Sequence, residues 1–73
     1  MTKTDIAALI QAGLPNASVT VIGDDGQHFE ATVICPEFAG KMPLAQHRMV
    51  YATLGERMGR EIHALKLTTR AAA

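Results

Sequence analysis

Ile62-His63-Ala64-Leu65-Lys66-Leu67-Thr68 is a short alternating run that follows the longest helical pattern in the chain. A strand, a helix of that length and a second strand make a crossover, and a crossover lays its two strands side by side and parallel. The run is therefore predicted to pair with whichever strand precedes the helix. Its one polar aromatic, His63, stands at the strand's start.

The helix begins at Pro43, a residue suited to the first helical position because its missing N–H has no partner there. Leu44, His47, Tyr51, Leu54 and Met58, with Val50 beside them, recur at spacings of three and four and predict a buried stripe from Leu44 to about Gly59. His47 is read as packing beside Tyr51. Gly55, costing about 1 kcal/mol relative to Ala, marks either close packing or a break into two shorter helices.

Upstream, Ser18 to Ile22 is rich in β-branched residues and reads as a strand. Gly23-Asp24-Asp25-Gly26 reads as a turn, and His28 to Cys35 as the return strand. Alternation there puts Phe29, Ala31, Val33 and Cys35 on an apolar face and His28, Glu30, Thr32 and Ile34 on the other. Pro36 ends the strand, and a loop runs to Pro43. The first helix has Thr4 or Asp5 as its cap and Ile6, Leu9 and Ile10 as its apolar stripe; it is about two turns long and closes at Gly13 in the left-handed conformation.

The expected fold is thus α+β, in the order α-β-β-α-β, with a three-stranded mixed sheet and both helices on one face. The other face is left for a partner or for solvent. With 73 residues and no internal repeat, the chain is expected to form one domain over 1–73.

Seven Lys and Arg balance seven Asp and Glu, which removes the global attraction to phosphate of most nucleic-acid binders. Locally, Lys41, Arg48, Arg57 and Arg60 outweigh Glu56, so nucleic acid is a question for that segment. One cysteine, Cys35, excludes an internal disulfide and a self-contained Cys-rich metal site. The apolar run from Ile6 to Ile10 is too short for a signal-peptide core or a membrane span, so the expectation is a complete cytoplasmic chain.

Nothing in the chain reads as the active site of a free-standing enzyme. There is no nucleophile with a base at a useful spacing, no paired-carboxylate motif and no phosphate-binding glycine loop. Gly40-Lys41-Met42-Pro43 resembles only faintly the Gly-x-x-Gly loop of KH domains and lacks its second glycine. Of the histidines, His28 and His63 form the pair of interest, because parallel neighbouring strands begin at the same end of a sheet. Strict pleating aims them to opposite faces, His63 with Leu65 and Leu67. A histidine taken singly is more often a surface or satisfied half-buried residue than a ligand.

Asp25-Gly26-Gln27-His28-Phe29, Phe38-Ala39-Gly40-Lys41, Gln46-His47-Arg48-Met49-Val50-Tyr51 with Leu54, and Ile62-His63-Ala64-Leu65 together resemble the BolA-like family, in its short bacterial branch. The resemblance implies a class II KH-like fold. It implies a monothiol glutaredoxin as partner and a [2Fe-2S] cluster shared with that protein and glutathione. His63 matches the family's ligating histidine, and His28 matches a His or Cys position in the loop before the second strand. Half a cluster site suits a chain with one Cys and few His, since His ligation at one iron is chemically reasonable. The alternative is a KH-like transcriptional regulator that binds DNA through Lys41, Arg48, Arg57 and Arg60. A homodimer without a cluster is the third expectation.

Overall fold

The computed structural model describes residues 1–72. It orders them as α1 (Lys3–Gly13), β1 (Ser18–Ile22), β2 (His28–Ile34), α2 (Pro43–Leu54) and β3 (Ala64–Arg70), with 3₁₀ turns at Pro36–Phe38 and Gly55–Arg57. The order is α-β-β-α-β, as the sequence predicts. The sheet runs β1-β2-β3, with β1 antiparallel and β3 parallel to β2. Among the described residues, no helix is long and apolar enough to cross a membrane.

Pairing fixes which residues share a face. Val19 sits opposite Val33 and Val21 opposite Ala31, while Leu65, Leu67 and Thr69 sit opposite Phe29, Ala31 and Val33. This face is covered. Phe29, Ala31 and Val33 are buried with Ile6 and Ile10 of α1, Val50 and Leu54 of α2, and Phe38 from the connecting turn. Full burial of each of these side chains larger than Ala31 stabilises by about 1.5–3 kcal/mol. The opposite face carries Thr20, Ile22, His28, Glu30, Thr32, Lys66 and Thr68, all exposed.

Helix α1 starts two or three residues earlier than its sequence suggests. Thr2, not Thr4 or Asp5, is the N-cap: its hydroxyl accepts from the Asp5 N–H at 3.2 Å, and the Asp5 carboxylate accepts from the Thr2 N–H at 2.9 Å. This reciprocal capping box satisfies two otherwise orphaned donors and lengthens the helix to 11 residues, three turns. Gly13 is not left-handed. It lies within the helix, where a Cβ would come within 2.5 Å of the Thr53 methyl, so the glycine permits the close approach of α1 to α2. The helix end is closed by Gln11, whose amide donates to the carbonyls of Leu14, Pro15 and Ala17.

In α2 the buried stripe is Gln46, Val50 and Leu54, one step round from the predicted one. Leu44 and Tyr51 are exposed and His47 is only half-buried. The reason is Gln46: its amide donates to the Lys41 carbonyl at 2.8 Å, so a polar residue faces inward to hold the preceding loop. The helix stops at Leu54 because Gly55 takes a φ of +56°, which settles that position as a break. Strand β2 ends at Ile34, one residue short of the expected Cys35. The turn before it places its positive φ values on Gly23 and Gly26, while neither aspartate adopts one.

Candidate functional site

Strand β3 starts at Ala64, so His63 is not a strand residue. Ile62 is fully buried, its N–H donates to the Arg57 carbonyl at 2.9 Å, and its own carbonyl accepts from Gly59 at 2.9 Å. The ladder with β2 begins only with Ala64, which sits opposite His28 and donates to the Gln27 carbonyl at 3.1 Å. Ile62 is tied to the preceding turn and Ala64 to the sheet, so the backbone changes phase between them. His63 lies at that change and is exposed. This corrects the expectation that pleating would send it to the face of Leu65 and Leu67.

The result is that the two histidines meet. The ring centroids of His28 and His63 lie 5.6 Å apart, with the rings nearly perpendicular at 89°. Imidazole nitrogens ligate a metal at about 2.0–2.1 Å, which places two rings sharing one ion with centroids on the order of 5–6 Å apart. The pair therefore fits two ligands of one metal ion. Among the described residues, no group of three or more His, Cys, Asp or Glu is arranged to hold a metal, so the histidine pair alone would fill at most two positions on an ion.

The His28 turn is shaped by Asp25. One of its carboxylate oxygens accepts from the N–H groups of both Gln27 and His28 at 2.8 Å, and the other meets His28 Nδ1 at 2.8 Å. The backbone N–H of His28, then its ring, then the N–H of Gln27 together hold the Asp25 carboxyl well below the usual carboxylate range. Asp25 is a site residue that the sequence reading passed over. The signal was present, since an Asp followed by Gly in a turn is well placed to accept from backbone N–H groups two and three residues on.

His28 of the pair lines the uncovered sheet face. A cleft of about 490 Å³ runs from Ile22 and Asp24 past His28 to Ala64 and Lys66. Ile22 is 54% exposed there, and Lys66 pairs with Glu30 across the strands at 3.7 Å. Cys35 is fully buried on the covered side, and burial followed by its hydrogen bond to Glu37 pushes its thiol up. It is a core residue, as its sequence context suggests, and it stands apart from the histidines.

The basic residues are not brought together. Lys41, Arg48, Arg57 and Arg60 are all exposed, but Lys41 precedes α2 and Arg57 and Arg60 follow it. A 12-residue helix is about 18 Å long. Lys41 stands before the helix, and Arg57 and Arg60 share the turn after it, where the Arg60 N–H donates to the Arg57 carbonyl.

Comparison with known proteins agrees with this architecture. Residues 11–73 match the family model described as BolA-like protein. Protein BOLA2 of Arabidopsis thaliana is 40% identical over 70 residues, covering 92% of this chain and 74% of that protein. The DNA-binding transcriptional regulator BolA of Vibrio cholerae is 45% identical over 42 residues, 58% of this chain. The match spans only 40% of that regulator's length, and 34% of human BolA-like protein 1. Among solved structures, a bolA protein homologue from Coxiella burnetii superposes with a TM-score of 0.84 at 47% identity, covering 94% of this chain and 88% of that one.

Proposed function

The chain belongs to the BolA-like family, and from that premise we propose that it is an adaptor that binds a monothiol glutaredoxin and shares a [2Fe-2S] cluster with it, in iron–sulfur trafficking or in iron or redox sensing. The observation that carries the reading is the 5.6 Å approach of two exposed imidazoles at one end of the sheet. His63 and His28 are the ligands this chain supplies, and the partner's cysteine with glutathione completes the set. When bound, such a cluster supplies one-electron chemistry and a transferable iron–sulfur unit, with a potential raised by histidine ligation.

The chain's own contribution is positional. Ile62 anchors one imidazole from the core, the 23–28 turn presents the other, and the open sheet face leaves room for a protein to approach both. Ligation needs neutral imidazoles, so formation of the shared site weakens in acid. The test is a titration with a monothiol glutaredoxin, glutathione and iron, followed by visible absorption and circular dichroism. A heterodimer spectrum distinct from that of the glutaredoxin alone, lost in His63→Ala, is the expected result. A spectrum that wild-type protein leaves unchanged, or that His63→Ala leaves intact, contradicts the proposal.

A second reading is favoured by the names of two bacterial relatives, the BolA proteins of Vibrio cholerae and Escherichia coli, each called a DNA-binding transcriptional regulator. In that reading this chain is a KH-like regulator whose Lys41, Arg48, Arg57 and Arg60 contact phosphates. Four such contacts on duplex DNA give a log–log salt dependence with a slope of about −3.6. Binding that is absent at low salt, or flat in salt, removes this reading.

A further inference from the structure

The two histidines are held unequally. His63 has no hydrogen-bonding partner for either ring nitrogen among the described residues, whereas His28 Nδ1 is fixed 2.8 Å from Asp25 Oδ2. A carboxylate only accepts hydrogen bonds, so the nitrogen facing it must carry the proton. In the neutral ring that leaves Nε2 with a free lone pair. The other Asp25 oxygen is committed to the N–H groups of Gln27 and His28, so the carboxylate and the ring it orients are parts of one turn.

We propose that Asp25 is a positioning residue that selects the Nδ1–H tautomer of His28 and thereby presents Nε2 as the metal-ligating nitrogen. Its use for a cluster rests on the reading above; the tautomer itself does not. A carboxylate behind a ligating histidine fixes ring orientation and raises ligand basicity, and removing such a partner costs about 10–100-fold in metal affinity. The absence of an equivalent partner makes His63 the adaptable member of the pair and His28 the fixed one.

Asp25→Asn separates positioning from folding. Its side-chain oxygen can still accept from the two backbone N–H groups and keep the turn, but its NH₂ group faces the ring as a donor. Nδ1 must then accept, and the proton moves to Nε2, which blocks that nitrogen. Long-range ¹H–¹⁵N correlation spectra in the neutral-ring regime read the tautomer directly, with no metal present. Wild-type His28 is expected as Nδ1–H and Asp25→Asn as Nε2–H, with the Gln27 and His28 amides near their wild-type positions. In the glutaredoxin titration, Asp25→Asn is expected to lose cluster affinity about 10–100-fold. An Nε2–H tautomer in wild type, a tautomer unmoved by Asp25→Asn, or wild-type cluster affinity in that variant overturns the proposal. If wild-type protein takes up no partner-dependent cluster while the tautomers behave as expected, the positioning role stands and the cluster-sharing reading falls.

Discussion

The turn that carries His28 is held by a side chain, whereas the connection that carries His63 is held by main-chain hydrogen bonds and one buried isoleucine. Residues 23–28 depend on the Asp25 carboxylate, which accepts two backbone N–H groups and a ring nitrogen. Residues 57–63 depend on backbone bonds from Gly59, Arg60 and Ile62, with Ile62 fully buried. Two exposed imidazoles reach the same place by polar organisation on one side and by apolar anchoring on the other. The two sides should consequently fail under different insults.

The largest effect is expected from the apolar side. Ile62→Ala removes a fully buried side chain and should cost about 2–5 kcal/mol, read as a shift in denaturant midpoint without a change in slope. Because Ile62 also seats its neighbour, His63 should lose its contact with His28 while the Asp25 turn survives. Loss of both contacts together would erase the distinction between the two sides.

Glycine replacements come next. Gly23 has a φ of +149°, and a Cβ there would meet the His28 carbonyl oxygen at 2.6 Å. Gly23→Ala should cost roughly 2–4 kcal/mol, combining strain with overpacking against backbone. Gly59 has a φ of +83° with open space around it, so Gly59→Ala should cost only about 1–2 kcal/mol. Equal costs in thermal or denaturant unfolding would mean that crowding at the His28 turn is relieved more easily than its backbone contact suggests.

Acid gives the smallest effect. The Asp25 carboxyl lies below its ordinary value of 3.8 in the folded chain, mainly through the His28 backbone N–H. A folded value below the unfolded one means that its contribution is full above the unfolded value. That contribution declines as pH falls beneath 3.8 and vanishes below the folded value. Amide resonances of Gln27 and His28 should move in that window while those of Gly59 and Ile62, bonded to main-chain carbonyls, stay in place. Simultaneous movement of all four would show global unfolding and no local dependence on Asp25.

Where local chemistry decided the outcome, the fold was legible. The β-branched run at 18–22, the alternation through 28–35 and Pro43 at a helix start each matched the observed elements to within a residue. Parallel pairing of β3 with β2 followed from the crossover alone. Three of the misses share a cause, which is that side-chain hydrogen bonds redirected a pattern read from hydrophobicity. Thr2 and Asp5 moved a helix start, Gln46 turned α2 so that Leu44 and Tyr51 face solvent, and Asp25 organised the His28 turn. The histidine pair itself was half legible. Register put both at one end of the sheet, but alternation sent them apart, because the phase change between Ile62 and Ala64 depends on tertiary anchoring of Ile62.

The central claim is that His28 and His63 act as one unit, and a double-mutant cycle tests it most directly. Affinity for the glutaredoxin-dependent cluster would be measured spectroscopically for wild type, His28→Ala, His63→Ala and the double variant. If both imidazoles belong to one site, the losses are non-additive and each single variant falls close to the double. Additive losses, or a His28→Ala variant indistinguishable from wild type, would contradict a shared site.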